Sequence, residues 1–173
     1  MSILQTKRLV LRHLAMADAE FILELLNQDS FLRYIGDKGV RNLELAREYI
    51  ANGPIESYRR HGFGLYLTAL REGGAPIGIC GLVKREALAD VDIGFALLAR
   101  HEKRGYATEA AAAVLEYGRR DCGLRRIVAI AAPENRASIA VIEKIGLQFE
   151  RMVRLDGDGK DLKLFAGGQP PLT

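Results

Sequence analysis

Little in this chain points to a covalent staple, a metal or a redox pair. Its two cysteines, Cys80 and Cys122, form no CxxC and no metal-type spacing. That weighs against a disulfide framework and fits core thiols in a reducing cytoplasm. The three histidines, His13, His61 and His101, are scattered, so no metal site is expected. Charge of one sign is scarce too: the formal net charge is +3, too weak to argue for nucleic acid, although a local basic loop can still hold an anion. Long apolar runs are missing. Ala110-Ala111-Ala112-Ala113-Val114-Leu115 is interrupted at once by Glu116, far short of a membrane span. The opening eight residues lack the apolar core of a secretory signal, and a cytoplasmic location is expected. Absent as well are a dinucleotide fingerprint, a Walker loop, and any Ser-His-Asp or Cys-His logic for a covalent enzyme intermediate.

What is present is an ordinary globular composition, 49% hydrophobic and 27% charged over 173 residues. This length suits a single domain with one sizeable core. Residues 1–166 are expected to form it, and residues 167–173, with Pro170-Pro171, a flexible tail.

Leu9 to Arg12 reads as a first strand, and Asp18 to Leu26 carries Phe21, Ile22, Leu25 and Leu26 at helical spacing. A second helix is expected from about Leu43 to Arg60, broken or kinked near Gly53-Pro54. Gly64–Leu70, Pro76–Leu82 and Val91–Leu98 follow without intervening helices and should pair antiparallel. From Gly105 the period changes. Ala107, Ala111, Val114, Leu115, Gly118 and Cys122 share one helical face, and the small residues permit close packing on a sheet. Ile127–Ala131 is a buried strand, Arg136 to Lys144 a short helix ending at Gly146, and Leu147 to Phe165 a terminal hairpin around residues 156–159. The order implies an α/β fold: a mixed sheet with helices on both faces.

The most informative stretch is Arg100 to Glu109, between a strand end and the first turn of the alanine-rich helix. The first amides of a helix lack internal partners and lie at the positive end of its dipole, which favours an anion. Gly105 permits close backbone approach, and Arg100, Lys103 and Arg104 raise the local potential. Taken by itself, the same stretch also reads as a turn glycine in a solvated charged run.

Four segments in order carry a resemblance: Asp92-Ile93-Gly94-Phe95-Ala96-Leu97, Lys103-Arg104-Gly105-Tyr106-Ala107-Thr108-Glu109-Ala110, Pro133-Glu134-Asn135-Arg136-Ala137-Ser138, and Val141-Ile142-Glu143-Lys144-Ile145-Gly146-Leu147. Together they resemble the GNAT acetyltransferase superfamily, and more narrowly its branch of ribosomal-protein N-terminal acetyltransferases. Thr6 to Arg12 is similar to that branch's first strand, so the likeness spans residues 6 to 165. The resemblance implies a mostly antiparallel sheet of about seven strands, flanked by helices and splayed between its fourth and fifth strands. It implies acetyl-CoA as co-substrate and an amine as acceptor. The backbone of Phe95, Ala96, Leu97 and Leu98 would pair with the pantetheine arm. Amides of Lys103, Arg104, Gly105, Tyr106, Ala107 and Thr108 would hold the pyrophosphate, with Asn135 and Ser138 beside the pantetheine and thiol. Two positions depart from the pattern: Glu102 replaces the usual Gln or Arg, and Ile142 stands where many members carry a tyrosine acid. The ribosomal-type branch uses a serine instead, here Ser138.

The chemistry wanted is attack of a neutral amine on a thioester. An ammonium of pKa about 10 must lose a proton and a thiolate of pKa about 8.5 must leave. Asp92 is the expected base, against the alternative of a solvent-facing strand aspartate. Ser138 is the expected donor to the thiolate, against an ordinary first-turn serine. Asn135 also reads as a helix N-cap and Glu109 as a structural carboxylate. The acceptor is expected to be a protein or peptide N-terminus, or else a small amine, amino acid, polyamine or antibiotic. A non-catalytic acyl-CoA-binding domain is a further reading. The exposed face of the C-terminal hairpin could support a homodimer.

Overall fold

The computed structural model describes residues 2–155, 157 and 159–167; the expected tail from 168 onward, and residues 156 and 158 of the last hairpin, lie outside the described residues. One open sheet of eight strands organises the chain: β1 (Ser2–Gln5), β2 (Leu9–His13), β3 (Leu65–Leu70), β4 (Pro76–Val83), β5 (Val91–Leu97), β6 (Ile127–Ala131), β7 (Gln148–Arg154) and β8 (Asp161–Ala166). Their spatial order is β1-β2-β3-β4-β5-β6-β8-β7, and every neighbouring pair is antiparallel except β5 and β6.

The count exceeds the expected seven because Ser2–Gln5 adds an edge strand, with Leu4 opposite Leu11 and Gln5 opposite Val10. Four residues with two polar side chains carry too little alternation to read as a strand without that partner. The splayed pair is the expected one, counted fifth and sixth once β1 is included.

Helices cover both faces. On one lie α1 (Ala19–Leu26), α2 (Asp29–Tyr34) and α3 (Leu43–Ile50), while α4 (Glu56–His61) packs its Tyr58 on the core of the other face. The Ala51–Ile55 turn, with Pro54 inside it, is wound more loosely and joins α3 to α4, so the expected break is a π-type widening in a continued helix. The α2 helix was not separated out in the sequence. It spans six residues and buries only Phe31. Ile22, Leu25, Leu26, Ala46 and Ile50 from this side meet Leu67, Ile79 and Leu98 of the sheet region.

On the other face α5 (Tyr106–Arg120) lies beside α6 (Arg136–Lys144). Ala110, Ala111, Val114 and Leu115 of α5 pack on Leu11, Tyr66, Cys80, Leu82 and Ile93. Gly118 sets how near α5 can approach: a Cβ there would lie 2.7 Å from Ile127 Cδ1 and 3.2 Å from Leu82 Cδ1. A larger residue at 118 would lift the helix off the sheet and move its N-terminus with it.

Candidate active site

Parallel pairing between β5 and β6 covers only Val91 with Ile127 and Asp92 with Val128. Beyond Asp92, β5 keeps its ladder to β4 and diverges from β6. The Leu98 amide donates to Ile77 O, which fixes the alternation: backbone groups of Ala96 face β4, whereas those of Phe95 and Leu97 face the gap. The result is a wedge with a strand edge that an extended amide chain can join.

That edge is partly taken. Gln28 Nε2 donates to Leu97 O at 3.1 Å, and its Oε1 accepts from Ala99 N at 2.7 Å. Among Phe95, Ala96, Leu97 and Leu98, Phe95 therefore keeps both backbone groups toward the gap. Leu98 turns inward, with its side chain fully buried. Gln28 carried no sequence signal, since it lies in a polar turn and meets β5 only in three dimensions.

A cavity of about 780 Å³ opens at the wedge, walled by Asp92, Phe95, Ala96, Ala131, Asn135 and Ser138 among others. Asp92 sits at its apex, 1% exposed, and accepts from Arg85 Nε at 2.9 Å. The solvent-facing alternative thus does not hold. Burial pushes the Asp92 carboxyl above its ordinary value, while the adjacent Arg85 charge pulls the other way. Arg85 was missed in the sequence because it lies in a loop, seven residues before its partner.

Asn135 caps α6: its Oδ1 accepts from Ser138 N at 3.2 Å, and its Nδ2 donates to Ser138 Oγ at 3.0 Å. Ser138 Oγ accepts that bond and so keeps its own proton for another partner.

The loop from 99 to 105 lies at the other end of β5 and does not line the cavity. Its backbone is left-handed twice, at Lys103 (φ 62°) and at Gly105 (φ 82°). No side chain caps α5, and its first intrahelical bond is Glu109 N to Gly105 O at 3.1 Å. Among the described residues, the amides of Gly105, Tyr106, Ala107 and Thr108 meet no acceptor. Unpaired donors at the positive end of a 15-residue helix form an anion cradle.

A clasp from the N-terminal strands holds this loop. Arg8 Nη1 donates to Arg104 O at 2.9 Å, Arg8 Nε to Glu109 Oε1 at 2.8 Å, and the guanidinium lies 4.4 Å from the Tyr106 ring centre. Glu109 Oε2 also accepts from Thr6 Oγ1 at 2.5 Å and Arg8 N at 2.9 Å. Desolvation works against the Glu109 carboxylate, but the Thr6 and Arg8 bonds win and hold its carboxyl below the ordinary value. Glu109 is a structural tie. Lys103, Arg104 and Glu102 are exposed.

Residues 8–148 match the acetyltransferase (GNAT) domain family. The chain belongs to the GNAT acetyltransferases. The N-acetyltransferase YoaA of Bacillus subtilis is 30% identical to it over 154 residues, covering 88% of this chain and 86% of YoaA. An acetyltransferase structure from Agrobacterium tumefaciens superposes with a TM-score of 0.77 at 30% identity, covering 96% of this chain and 94% of that one. The structure of RimL, a ribosomal L7/L12 alpha-N-protein acetyltransferase in complex with coenzyme A, shares the fold with a TM-score of 0.81 at 20% identity, over 96% and 97% of the two chains. This GNAT acetyltransferase contains, among its described residues, no group of three or more His, Cys, Asp or Glu side chains that could hold a metal.

Proposed function

We propose that this acetyltransferase moves an acetyl group from acetyl-CoA to a primary amine by direct attack, with both substrates bound together. The observation that carries this reading is the line from the unpaired amides of Gly105–Thr108, along the edge of β5 that stays open at Phe95, to the buried carboxylate of Asp92. A coenzyme A molecule fits that line chemically. The amides of 103–108 would receive its diphosphate, the Phe95 backbone its pantetheine amides, and the Asn135–Ser138 corner its sulfur end. When bound, the donor supplies an activated acyl thioester.

The protein's own groups do the rest. Asp92 takes the proton from the incoming ammonium, directly or through one water, and its raised proton affinity brings it nearer the operating pH. Arg85 orients that carboxylate through its 2.9 Å bond. Ser138 Oγ donates its hydrogen toward the departing sulfur. Holding the two reactants in line supplies a large share of the rate. The ribosomal-type motifs favour a protein or peptide N-terminus as acceptor. A small amine is the second reading, favoured by a cavity whose roughly 780 Å³ falls within the range of small-molecule sites.

Calorimetry with acetyl-CoA, then thiol release over peptides, amino acids, polyamines and aminoglycosides, tests the proposal. Binding followed by release with at least one class is expected. Binding without release under every amine leaves an acyl-CoA-binding domain, and no binding removes the reading.

A further inference from the structure

The wall of the cavity beside Asp92 carries more cationic side chains than carboxylates. The cations include Arg33, Lys38, Arg60, Lys84 and Arg85, together with Lys160. The carboxylates on the same wall are Asp92, Glu56, Asp161 and Glu134. Three of these are already committed: Asp92 to Arg85, Glu56 to Arg59 and Asp161 to Arg154. The fourth, Glu134, directly precedes Asn135 at the start of α6. Lys84 is also occupied, since its Nζ donates to Leu88 O at 2.8 Å.

Arg85 is the pivotal group. It is part-exposed, with 35% of its side chain accessible, and only its Nε is engaged, on Asp92. Among the described residues its two terminal nitrogens meet no acceptor, so the outer edge of the fork stays open to the cavity. Lys38 and Tyr49 line the same cavity and feel the Arg85 charge. Lys38 is exposed as a residue, yet its ammonium lies below the ordinary lysine value, desolvation first and Arg85 second. Tyr49 is mostly desolvated, and among the described residues its hydroxyl has no hydrogen-bond partner. Lys38 and the open edge of the Asp92-bound Arg85 therefore face one cavity and repel each other, an arrangement that an incoming anion relieves and an incoming polycation aggravates.

We infer that the acceptor of this acetyltransferase is an amine bearing a carboxylate, its anion held by Lys38 and the open edge of Arg85 while its amine meets Asp92. The inference rests on the acetyl-transfer reading above and narrows its acceptor. One guanidinium then reads both ends of the substrate: its Nε fixes the base and its terminal nitrogens take the carboxylate, in the paired geometry arginine favours. Amine and carboxylate must lie within the span of that fork, as in a free α-amino acid or a peptide whose first residue is acidic. Polyamines and aminoglycosides meet like charge at the same place.

The test measures thiol release from acetyl-CoA with matched acceptors: free amino acids against their carboxamides, peptides starting with Asp or Glu against the same peptides starting with Asn or Gln, and polyamines. At least one carboxylate-bearing acceptor should exceed its uncharged match by about tenfold or more in kcat/KM, and the amino-acid and peptide arms show which source supplies it. Lys38→Met should raise KM for that acceptor about tenfold, leave its kcat within about twofold, and not change KM for the carboxamide. Equal or better turnover of carboxamides or polyamines overturns the inference and leaves acetyl transfer standing. CoA binding without release under any amine overturns both.

Discussion

Gly105 offers a graded perturbation of the anion cradle. Its φ of 82° lies in the left-handed region, and a Cβ added there would come 3.3 Å from Arg8 Nη2. That neighbour is the far end of a flexible side chain and can yield by a few tenths of an ångström. In Gly105→Ala the cost is mainly conformational, about 1–2 kcal/mol. For a chain of this size it lowers Tm by roughly 2–8 °C. The amides of Tyr106–Thr108 keep their direction, so affinity for CoA should fall by less than about tenfold. Gly105→Glu carries the same backbone cost and adds a carboxylate beside the diphosphate. Like charges about 4 Å apart at an effective dielectric of about 20 repel by about 4 kcal/mol. Even two-thirds of that is a loss of about 100-fold. Calorimetric titration with CoA, with circular dichroism to confirm the fold, distinguishes the two variants. Should folded Gly105→Glu bind CoA within about twofold of the parent, the cradle is not the diphosphate site.

Asp92→Asn should lower kcat by about 10²–10³ near pH 7 with CoA affinity within about twofold. Because the Asp92 proton affinity is raised, parental kcat/KM should fall as pH drops through that elevated pKa, and pH–rate profiles of the variant should lose this limb. Glu109→Gln weakens the bonds from Thr6 and Arg8, at a cost of about 2 kcal/mol near pH 7. The Glu109 pKa is depressed in the fold, so its stabilisation is present above the unfolded value and lost as pH falls through the folded one. Urea unfolding at several pH values should show the gap between parent and variant closing below about pH 4. Gln28→Ala frees Leu97 O and Ala99 N, and hydrogen exchange should speed at Ala99 while Gly118 stays protected.

The antiparallel meander of β3, β4 and β5 and the helix at the anion cradle were legible in the sequence because each leaves a local trace, whereas the splay after Asp92 was implied only by the family resemblance. Apolar runs separated by the Arg71–Gly74 turn mark β3 and β4, period 3.6 marks α5, and a glycine stands at its start. Parts that depend on distant partners left no such trace. Ser2–Gln5 becomes a strand only against β2, Gln28 becomes a clamp only where the turn before α2 meets the end of β5, and Arg85 gains its role only across the loop from Asp92. Asn135 and Ser138 were readable as a cap and a first-turn serine, and the structure adds that they share a hydrogen bond on the cavity wall.

Backbone amide shifts of the whole chain during titration with CoA address the central claim most directly. The amides of Gly105, Tyr106, Ala107 and Thr108 should move together and saturate with the binding isotherm, with Phe95 following. If those four stay still while CoA binds, the α5 terminus is not what holds it.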